Sequence, residues 1–224
     1  MPPSLSNTSD CQAVIFDLDG TLVDSSVGIL HSLAHAFHSH GITPLVPLEP
    51  SLIGPPLRET ITALSADIDI AKSDAIIESF KSHYDSIGYK MTTAFEGISS
   101  LLNGLSQTGV HLAIATNKRD TPTQSILSEQ SWHSYFTSVY SPDSVQPASP
   151  NKSHLIKLLL DEMGWQPYRC LYIGDRIEDW HAARANNIRF GWAHWGFSKD
   201  EIQFDDDSFV LKKPDPQSVL DQLR

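Results

Sequence analysis

The sequence predicts an α/β protein with a Rossmann-like, mainly parallel sheet and a small all-helical domain inserted after the first strand. Two observations support this fold class. Short apolar runs alternate with helical patterns through most of the chain, which is typical of βαβ units in a parallel sheet. Residues 26–90 interrupt that alternation, because they hold helical patterns and no convincing strand.

The predicted strands are short apolar runs, as expected for strands that are buried on both faces of a sheet. They lie at residues 13–16, 112–115, 138–140, 171–173, 189–193 and 209–211. Helical patterns separate the later strands at residues 98–105, 123–129, 153–163 and 178–186, and a closing helix is predicted over 214–223. Asn187 follows one of these helices, where asparagine tolerates the left-handed cap conformation.

The interrupting stretch contains helical patterns at 27–40, 57–65 and 73–87, with glycines and prolines between them. We therefore divide the chain into an α/β core of residues 11–25 and 91–224 and a helical cap of residues 26–90. Residues 1–10 carry no basic or long apolar segment, so we predict a disordered tail and not a secretory signal.

Composition narrows the possible partners. The 224 residues carry a formal net charge of -11, which disfavours binding to nucleic acid. No apolar stretch approaches the roughly 20 residues that cross a bilayer. The two cysteines, Cys11 and Cys170, are expected to be buried free thiols in a cytoplasmic protein.

The most informative segment is Phe16-Asp17-Leu18-Asp19-Gly20-Thr21, directly after the first apolar run. Strand ends face the ligand crevice in open α/β sheets. A carboxylate placed there can bind a divalent cation, and it can attack an electrophile when the cation offsets its charge. A surface turn would explain the Asp-Gly pair, but it would not explain why an acid, Asp17, directly follows the apolar run.

This segment resembles the first motif, Asp-x-Asp-Gly-Thr, of the haloacid dehalogenase superfamily of phosphohydrolases. Its continuation through Leu22-Val23-Asp24-Ser25 is similar to the phosphoglycolate phosphatase-like branch. The resemblance implies that Asp17 is a nucleophile that forms an aspartyl-phosphate and that Asp19 is the general acid and base. It also implies that residues 26–90 form a mobile cap over a small substrate.

Two further segments resemble later motifs of that superfamily. The strand ending at Thr116-Asn117 would place a hydroxyl and a backbone amide beside the phosphoryl group. A lysine is then needed for the charge of the transferred phosphoryl oxygens, and the candidates are Lys152 and Lys157. We prefer Lys152, because it begins a helix, whose dipole favours anions.

The segment Ile173-Gly174-Asp175-Arg176-Ile177-Glu178-Asp179 resembles the last motif. By this resemblance, Asp175 would bind Mg²⁺ together with Asp17 and the backbone carbonyl of Asp19, while Asp179 would reach back to the same ion. Carboxylates and phosphate supply the oxygen ligands that Mg²⁺ prefers. Asp179 could equally be a first-turn acid that interacts with the helix dipole.

Three features outside these motifs admit more than one interpretation. Arg58 resembles a substrate-contacting residue of the cap, although a solvated helix-start arginine is equally consistent. His31, His35 and His38 share a helix face, and we interpret them as a water-facing surface and not as a metal site. Trp192, Trp195 and Phe197 are predicted to cover the sheet edge or to line a subunit contact.

The sequence thus predicts a Mg²⁺-dependent phosphatase of a small phosphorylated metabolite, either monomeric or homodimeric. The sequence does not identify the metabolite, because a resemblance to the phosphoglycolate phosphatase-like branch does not establish which substrate this chain uses. A sugar phosphomutase has the same motifs and is the first alternative. A regulatory protein without catalysis is the second, although Asp17, Asp19 and Asp175 are all present.

Overall fold

A computed structural model describes residues 11–66, 68–198 and 208–223 of the chain. Its strands, numbered along the chain, are β1 (Ala13–Phe16), β2 (Val23–Asp24), β3 (Thr93–Ala94), β4 (His111–Ala115), β5 (Ser138–Tyr140), β6 (Cys170–Gly174), β7 (Arg189–Ala193) and β8 (Phe209–Leu211). Six of them form one sheet in the order β5-β4-β1-β6-β7-β8. All of its neighbouring pairs are parallel, as the sequence predicts.

The helices alternate with these strands except near the start of the chain. They are α1 (Ser26–Ser39), α2 (Leu57–Leu64), α3 (Ile70–Ser86), α4 (Ile98–Ser106), α5 (Asp120–Glu129), α6 (Lys152–Met163), α7 (Ile177–Ala185) and α8 (Pro216–Leu220). The first three lie between β2 and β3, so the helical insertion is present and the predicted fold class is confirmed. Among the described residues, no helix is long and apolar enough to cross a membrane.

Three apolar clusters hold these layers together. One face of the sheet packs on Ile98, Leu101 and other residues of α4 and α5, and the opposite face packs on Leu155, Ile156 and other residues of α6 and α7. The third cluster joins α1, α2 and α3 around Phe37. The insertion therefore has an apolar core of its own.

The sequence located the sheet strands to within a residue or two, and the differences have simple causes. α3 begins at Ile70 because the Asp69 side chain accepts a hydrogen bond from the Lys72 backbone, which caps the helix three residues before the predicted start. Strands β2 and β3 pair antiparallel and were not predicted. Two residues are too few to show a strand period. Asn187 has a φ of 56°, which confirms its predicted left-handed conformation.

The aromatic group near β7 corrects one prediction. Strand β7 lies inside the sheet between β6 and β8, and both Trp192 and Phe197 are buried within the chain. The expectation of a subunit contact is therefore wrong for both residues, and the expectation that they cover a sheet edge is wrong for Trp192, which lies on an inner strand. Trp195 is half-buried, and its indole N–H donates a hydrogen bond to the Thr21 carbonyl at 2.9 Å.

The histidines of α1 meet a fourth histidine that the sequence analysis did not connect with them. The His83 ring, on α3, stacks on the His35 ring, and the two ring centroids are 4.2 Å apart. The centroids of the His83 and His31 rings are 5.0 Å apart. His31, His35 and His38 are exposed, as predicted.

Cys11 and Cys170 are buried free thiols, which confirms the prediction made for the two cysteines. The predicted tail at residues 1–10 lies outside the described residues.

Candidate active site

The candidate site forms where three neighbouring strands end at the same edge of the sheet. Asp17 directly follows the central strand β1, Thr116 follows β4 on one side, and Asp175 follows β6 on the other. Parallel strands bring their carboxyl ends together, so residues far apart in sequence meet there. The Asp17 backbone N–H donates to the Ile173 carbonyl at 2.9 Å, which joins the ends of β1 and β6.

Three buried carboxylates form the acidic cluster of this site. Asp17, Asp175 and Asp179 each offer one oxygen atom, and these atoms lie within 4.8 Å of one another. Lys152, the first residue of α6, places its ammonium nitrogen 2.9 Å from Asp17 Oδ1 and 2.5 Å from Asp179 Oδ1. Its side chain is only 7% exposed, so this charge acts where water does not screen it.

Burial perturbs the ionisation of these groups. Loss of water raises the pKa of Asp17 from 3.8 to about 6, although the neighbouring Lys152 charge opposes the rise. The pKa of Asp175 is also raised well above its ordinary value, first by burial and then by the charges of Asp179 and Asp17. The pKa of Lys152 is raised because the adjacent carboxylates outweigh the effect of burial.

The acidic cluster fits a divalent cation such as Mg²⁺. Asp175 Oδ1 is buried without a hydrogen-bond partner among the described residues, which is costly for a carboxylate oxygen. Asp17 Oδ1 lies 2.9 Å from the Lys152 ammonium. Three carboxylates also face a single ammonium group, so an additional positive charge would balance them. Carboxylate oxygens are ligands that Mg²⁺ prefers.

Two glycines allow the acids to approach the backbone. Gly20 has a φ of +87°, and a Cβ atom on it would lie 2.3 Å from an Asp175 carboxylate oxygen. A Cβ atom on Gly174 would lie 2.4 Å from a carboxylate oxygen of Asp179. Any side chain at either position would push an acid out of the cluster.

Two hydrogen bonds fix the acids on the β6 side. The Phe197 backbone N–H donates to Asp175 Oδ2 at 2.7 Å. Asp179 lies in the first turn of α7, where Oδ2 accepts the Arg176 backbone N–H at 3.1 Å. Asp179 therefore caps its helix, which confirms the interpretation as a first-turn acid, and it also contacts Lys152 within the acidic cluster. Its binding to a metal ion stays a prediction.

Asp19 lies beside the acidic cluster, but its carboxylate is not one of the three that compose it. The sequence analysis expected only its backbone carbonyl at the metal. Its side chain accepts the Ser25 hydroxyl at 2.6 Å and lies 3.0 Å from the Lys118 ammonium through both oxygens. The Lys118 ammonium also donates to the Tyr84 hydroxyl at 2.8 Å.

The sequence analysis missed the role of Lys118. This residue follows Thr116-Asn117 and looked like part of an ordinary loop after a strand. Its side chain is only 6% exposed, and its pKa is raised because the Asp19 charge outweighs burial. A lysine at the end of a strand beside two predicted site residues was the available signal.

The second-motif residues take different positions around the site. Thr116 is buried, and its hydroxyl oxygen accepts the Lys118 backbone N–H at 3.2 Å. The Asn117 side chain instead donates to the Gly54 carbonyl of the helical insertion at 3.3 Å. Both residues line the same cavity as Asp17, Asp19 and Lys152.

Arg58 and Lys157 do not join the acidic cluster. Arg58 lines the same cavity, but its side chain is 58% exposed and pairs with Asp74 at 2.6 Å. Lys157 is 63% exposed and pairs with Asp161 on its own helix. Of the two lysines considered from the sequence, Lys152 alone contacts the candidate nucleophile.

The cavity above these residues has a volume of about 360 Å³. Its polar end is formed by the strand termini, and its walls come from α1, α2 and α3 of the insertion. The three consecutive residues Asn117, Lys118 and Arg119 each contact the insertion, the last through a two-bond ion pair with Asp85. The insertion thus covers the site.

Comparison with known proteins agrees with this geometry. A family model described as haloacid dehalogenase-like hydrolase matches residues 14–193. The tyrosine-protein kinase PtkA of Mycobacterium tuberculosis is 33% identical over 192 residues, which cover 85% of this chain and 65% of that protein. The chain therefore spans slightly less than two thirds of that relative.

Two other similar proteins match over nearly their whole length. The phosphoglycolate phosphatase of Xanthomonas campestris is 28% identical over 208 residues, covering 91% of this chain and 93% of that enzyme. Among solved structures, the haloacid dehalogenase-like family protein SP0104 of Streptococcus pneumoniae superposes with a TM-score of 0.84 at 27% identity. That superposition covers 96% of this chain and 100% of that one.

Proposed function

This chain belongs to the haloacid dehalogenase-like hydrolase family, and from that premise we propose that it is a Mg²⁺-dependent phosphatase of a small phosphorylated metabolite. It is an enzyme of the phosphoric monoester hydrolase class, in keeping with the phosphatases among its relatives. The reaction proceeds through an aspartyl-phosphate on Asp17. The predicted cytoplasmic location and the choice between a monomer and a homodimer stay predictions.

One observation carries the proposal: a buried lysine sits between two buried carboxylates at the polar end of a covered cavity. Lys152 Nζ lies 2.9 Å from Asp17 Oδ1, and both residues line the cavity. A phosphoryl group that binds Asp17 would bring its negative oxygens next to this ammonium group. A fixed positive charge at that place stabilises the charge that spreads over the phosphoryl oxygens during transfer.

In the first step, an Asp17 carboxylate oxygen attacks the phosphorus atom and the bond from phosphorus to the leaving oxygen breaks. That oxygen takes a proton from the carboxyl group of Asp19. The Asp19 carboxylate lies 3.0 Å from the Lys118 ammonium, so this contact must break for Asp19 to reach the leaving oxygen. The Thr116 hydroxyl and the Asn117 backbone are proposed to bind the phosphoryl oxygens.

In the second step, Asp19 removes a proton from a water molecule, which attacks the phosphorus atom and releases phosphate from Asp17. Asp17, Asp175, Asp179 and the Asp19 backbone carbonyl would hold Mg²⁺. When bound, Mg²⁺ would neutralise negative charge on the carboxylates and on the phosphoryl group.

The division into a core of residues 11–25 and 91–224 and a cap of residues 26–90 is part of this proposal. The apolar cluster of α1–α3 supports it, because the insertion buries apolar side chains without the sheet. A cap that covers the cavity keeps bulk water away from the phosphorylated carboxylate. It also restricts the substrate to a small molecule.

The substitution Asp17→Asn tests the proposed nucleophile. We expect release of inorganic phosphate from an aryl phosphate with Mg²⁺ to fall below about a thousandth of the wild-type rate, because an amide oxygen is a poor nucleophile. Near-normal turnover by a folded variant would contradict the proposal. Asp161→Asn is the matched control, because that acid is exposed and pairs with Lys157 on the surface of α6.

The same assay separates the alternatives. A sugar phosphomutase would move the phosphoryl group within its substrate and release little phosphate. Transfer to a protein tyrosine, as the name of PtkA indicates for that relative, would likewise leave phosphate bound to an acceptor. A regulatory protein would release none. The presence of Asp17, Asp19, Lys152 and Asp175 in one cavity region argues against the regulatory alternative.

A further inference from the structure

The cavity above the candidate site has two chemically different ends. Its polar end contains Asp17, Asp19, Thr116 and Lys152, where the proposed phosphoryl transfer takes place. Its opposite wall is apolar. Because the leaving group of a phosphate ester must extend away from the transferred phosphoryl group, this wall is the surface that the leaving group meets.

We propose that the natural substrate is a phosphate monoester whose leaving group is a neutral alcohol with an apolar aliphatic or aromatic body. This inference rests on the proposed phosphatase activity. It excludes short anionic leaving groups, such as the glycolate released from phosphoglycolate, as the preferred ones.

The apolar wall is built from all three parts of the insertion. Leu33 comes from α1, Ile53 and Leu57 come from the loop before α2 and its first turn, and Ile77 and Phe80 come from α3. The Phe80 ring is stacked on Tyr84, with centroids 5.5 Å apart and planes at 6°. Both rings line the cavity.

The charges around the cavity do not suit an anionic leaving group. Five lysine or arginine side chains line it, and each has a nitrogen within 3.0 Å of a carboxylate oxygen within the described part of the chain. Lys118 and Lys152 are engaged by Asp19 and Asp17. A substrate carboxylate would therefore compete with these protein carboxylates for their partners.

The two arginines that line the cavity differ in their exposure to water. Arg119 is held by two bonds to Asp85, at 2.6 and 3.0 Å, and both side chains are less than one third exposed. Arg58 is 58% exposed, so water weakens its attraction for any anion. Arg58 can meet a polar end of the leaving group that projects from the cavity, but it does not replace the apolar wall.

The size of the cavity agrees with this assignment. Cavities of roughly 300 to 1,000 Å³ hold ligands of the size of drugs. At about 360 Å³, the space exceeds what a phosphoryl group with a two-carbon leaving group would fill. An apolar body that fills the remainder would remove both its own surface and the wall from water.

Alkyl phosphates of increasing length test the inference, because lengthening the chain hardly changes the chemistry of the reacting bond. We expect kcat/KM to rise about two- to fourfold for each added methylene group from ethyl to hexyl phosphate, the gain that burial of a methylene group provides. Phosphoglycolate should be no better a substrate than ethyl phosphate. A flat series, or a phosphoglycolate kcat/KM above that of hexyl phosphate, would overturn the inference.

Variants of the wall identify where the alkyl chain binds. Phe80→Ala and Leu57→Gln should each lower the ratio of kcat/KM for hexyl phosphate to that for ethyl phosphate by about fivefold or more. Leu57 is only half-buried, so its variant remains informative if loss of Phe80 impairs folding. Val27→Ala is the control, because Val27 is a 62% exposed residue of α1 that does not line the cavity.

Binding measurements keep this inference separate from the proposed function. If no phosphate ester is hydrolysed, the proposed function fails, but the apolar wall can still be tested with alkylphosphonates, which are not cleaved. Calorimetry should then show tighter binding of hexylphosphonate than of methylphosphonate to the wild-type protein with Mg²⁺. Equal affinities would overturn the inference independently of any turnover.

Discussion

At the scale of single residues, Lys152 controls the charge balance of the site. It is buried beside Asp17 and Asp179, and without it three carboxylates would face one another. The sequence favoured Lys152 over Lys157 because it begins a helix, and of these two lysines only Lys152 lines the cavity. The position of Lys118 beside Thr116 and Asn117 was a weaker signal, since its contact with Asp19 depends on how two loops approach each other.

The acidic cluster makes stability depend on pH in a defined direction. Burial raises the pKa of Asp17 from 3.8 to about 6 and raises that of Asp175 as well, so the folded protein holds these protons more tightly than the unfolded chain. Without metal, the Asp17 contribution to stability is fully present below pH 3.8 and is lost as the pH rises to about 6. Mg²⁺ should offset that loss by binding the ionised carboxylates.

Thermal unfolding with and without Mg²⁺ measures this effect. At about a hundred times its dissociation constant, the ion should raise the melting temperature by roughly 5–10 °C near neutral pH and by clearly less near pH 5. In Asp175→Asn, most of the shift should disappear. An equal shift at both pH values would show that the ion does not bind these carboxylates.

At the scale of elements, the sequence predicted the strands and helices that hydrophobic periodicity and helix-capping residues indicate. The strands β1, β5, β7 and β8 have the predicted bounds, because apolar residues dominate each strand and polar residues lie beside it. The short pair β2 and β3 escaped prediction, since its partners are separated by the whole helical insertion. Contacts between the insertion and the core were also beyond the sequence, because they depend on how two separately packed units meet.

The contact between α3 and the loop after β4 gives a test of how the insertion is held over the site. Asp85→Asn should weaken the pair with Arg119 and lower kcat/KM about fivefold, in keeping with about 1 kcal/mol for a partly buried ion pair. In a background that already carries Arg119→Met, the same substitution should have little further effect. Glu59→Gln, at an exposed acid of α2, serves as the control.

Equal losses of kcat/KM from Asp85→Asn in both backgrounds would mean that the pair itself is not what holds the insertion. Such additivity is the expected behaviour of residues that do not interact. The comparison therefore distinguishes a specific contact from a general effect of removing a negative charge from α3.

At the scale of the whole molecule, topology brings the site together. The order β5-β4-β1-β6-β7-β8 places β1 between β4 and β6, so Asp17, Thr116 and Asp175 end at one edge although they span most of the chain. The motifs predicted that convergence through their order along the sequence. They could not predict the apolar wall, because Leu33, Ile77 and Phe80 look like ordinary core positions of amphipathic helices until their packing is known.

The most direct test of the account is a crystal structure of the protein soaked with Mg²⁺ and beryllium trifluoride, a mimic of a phosphoryl group bound to a carboxylate. We predict one magnesium ion among Asp17, Asp175 and Asp179, and beryllium bonded to an Asp17 oxygen with its fluorides facing Lys152. Beryllium trifluoride bound elsewhere, with Asp17 still paired to Lys152 and no ion among the three acids, would contradict the account.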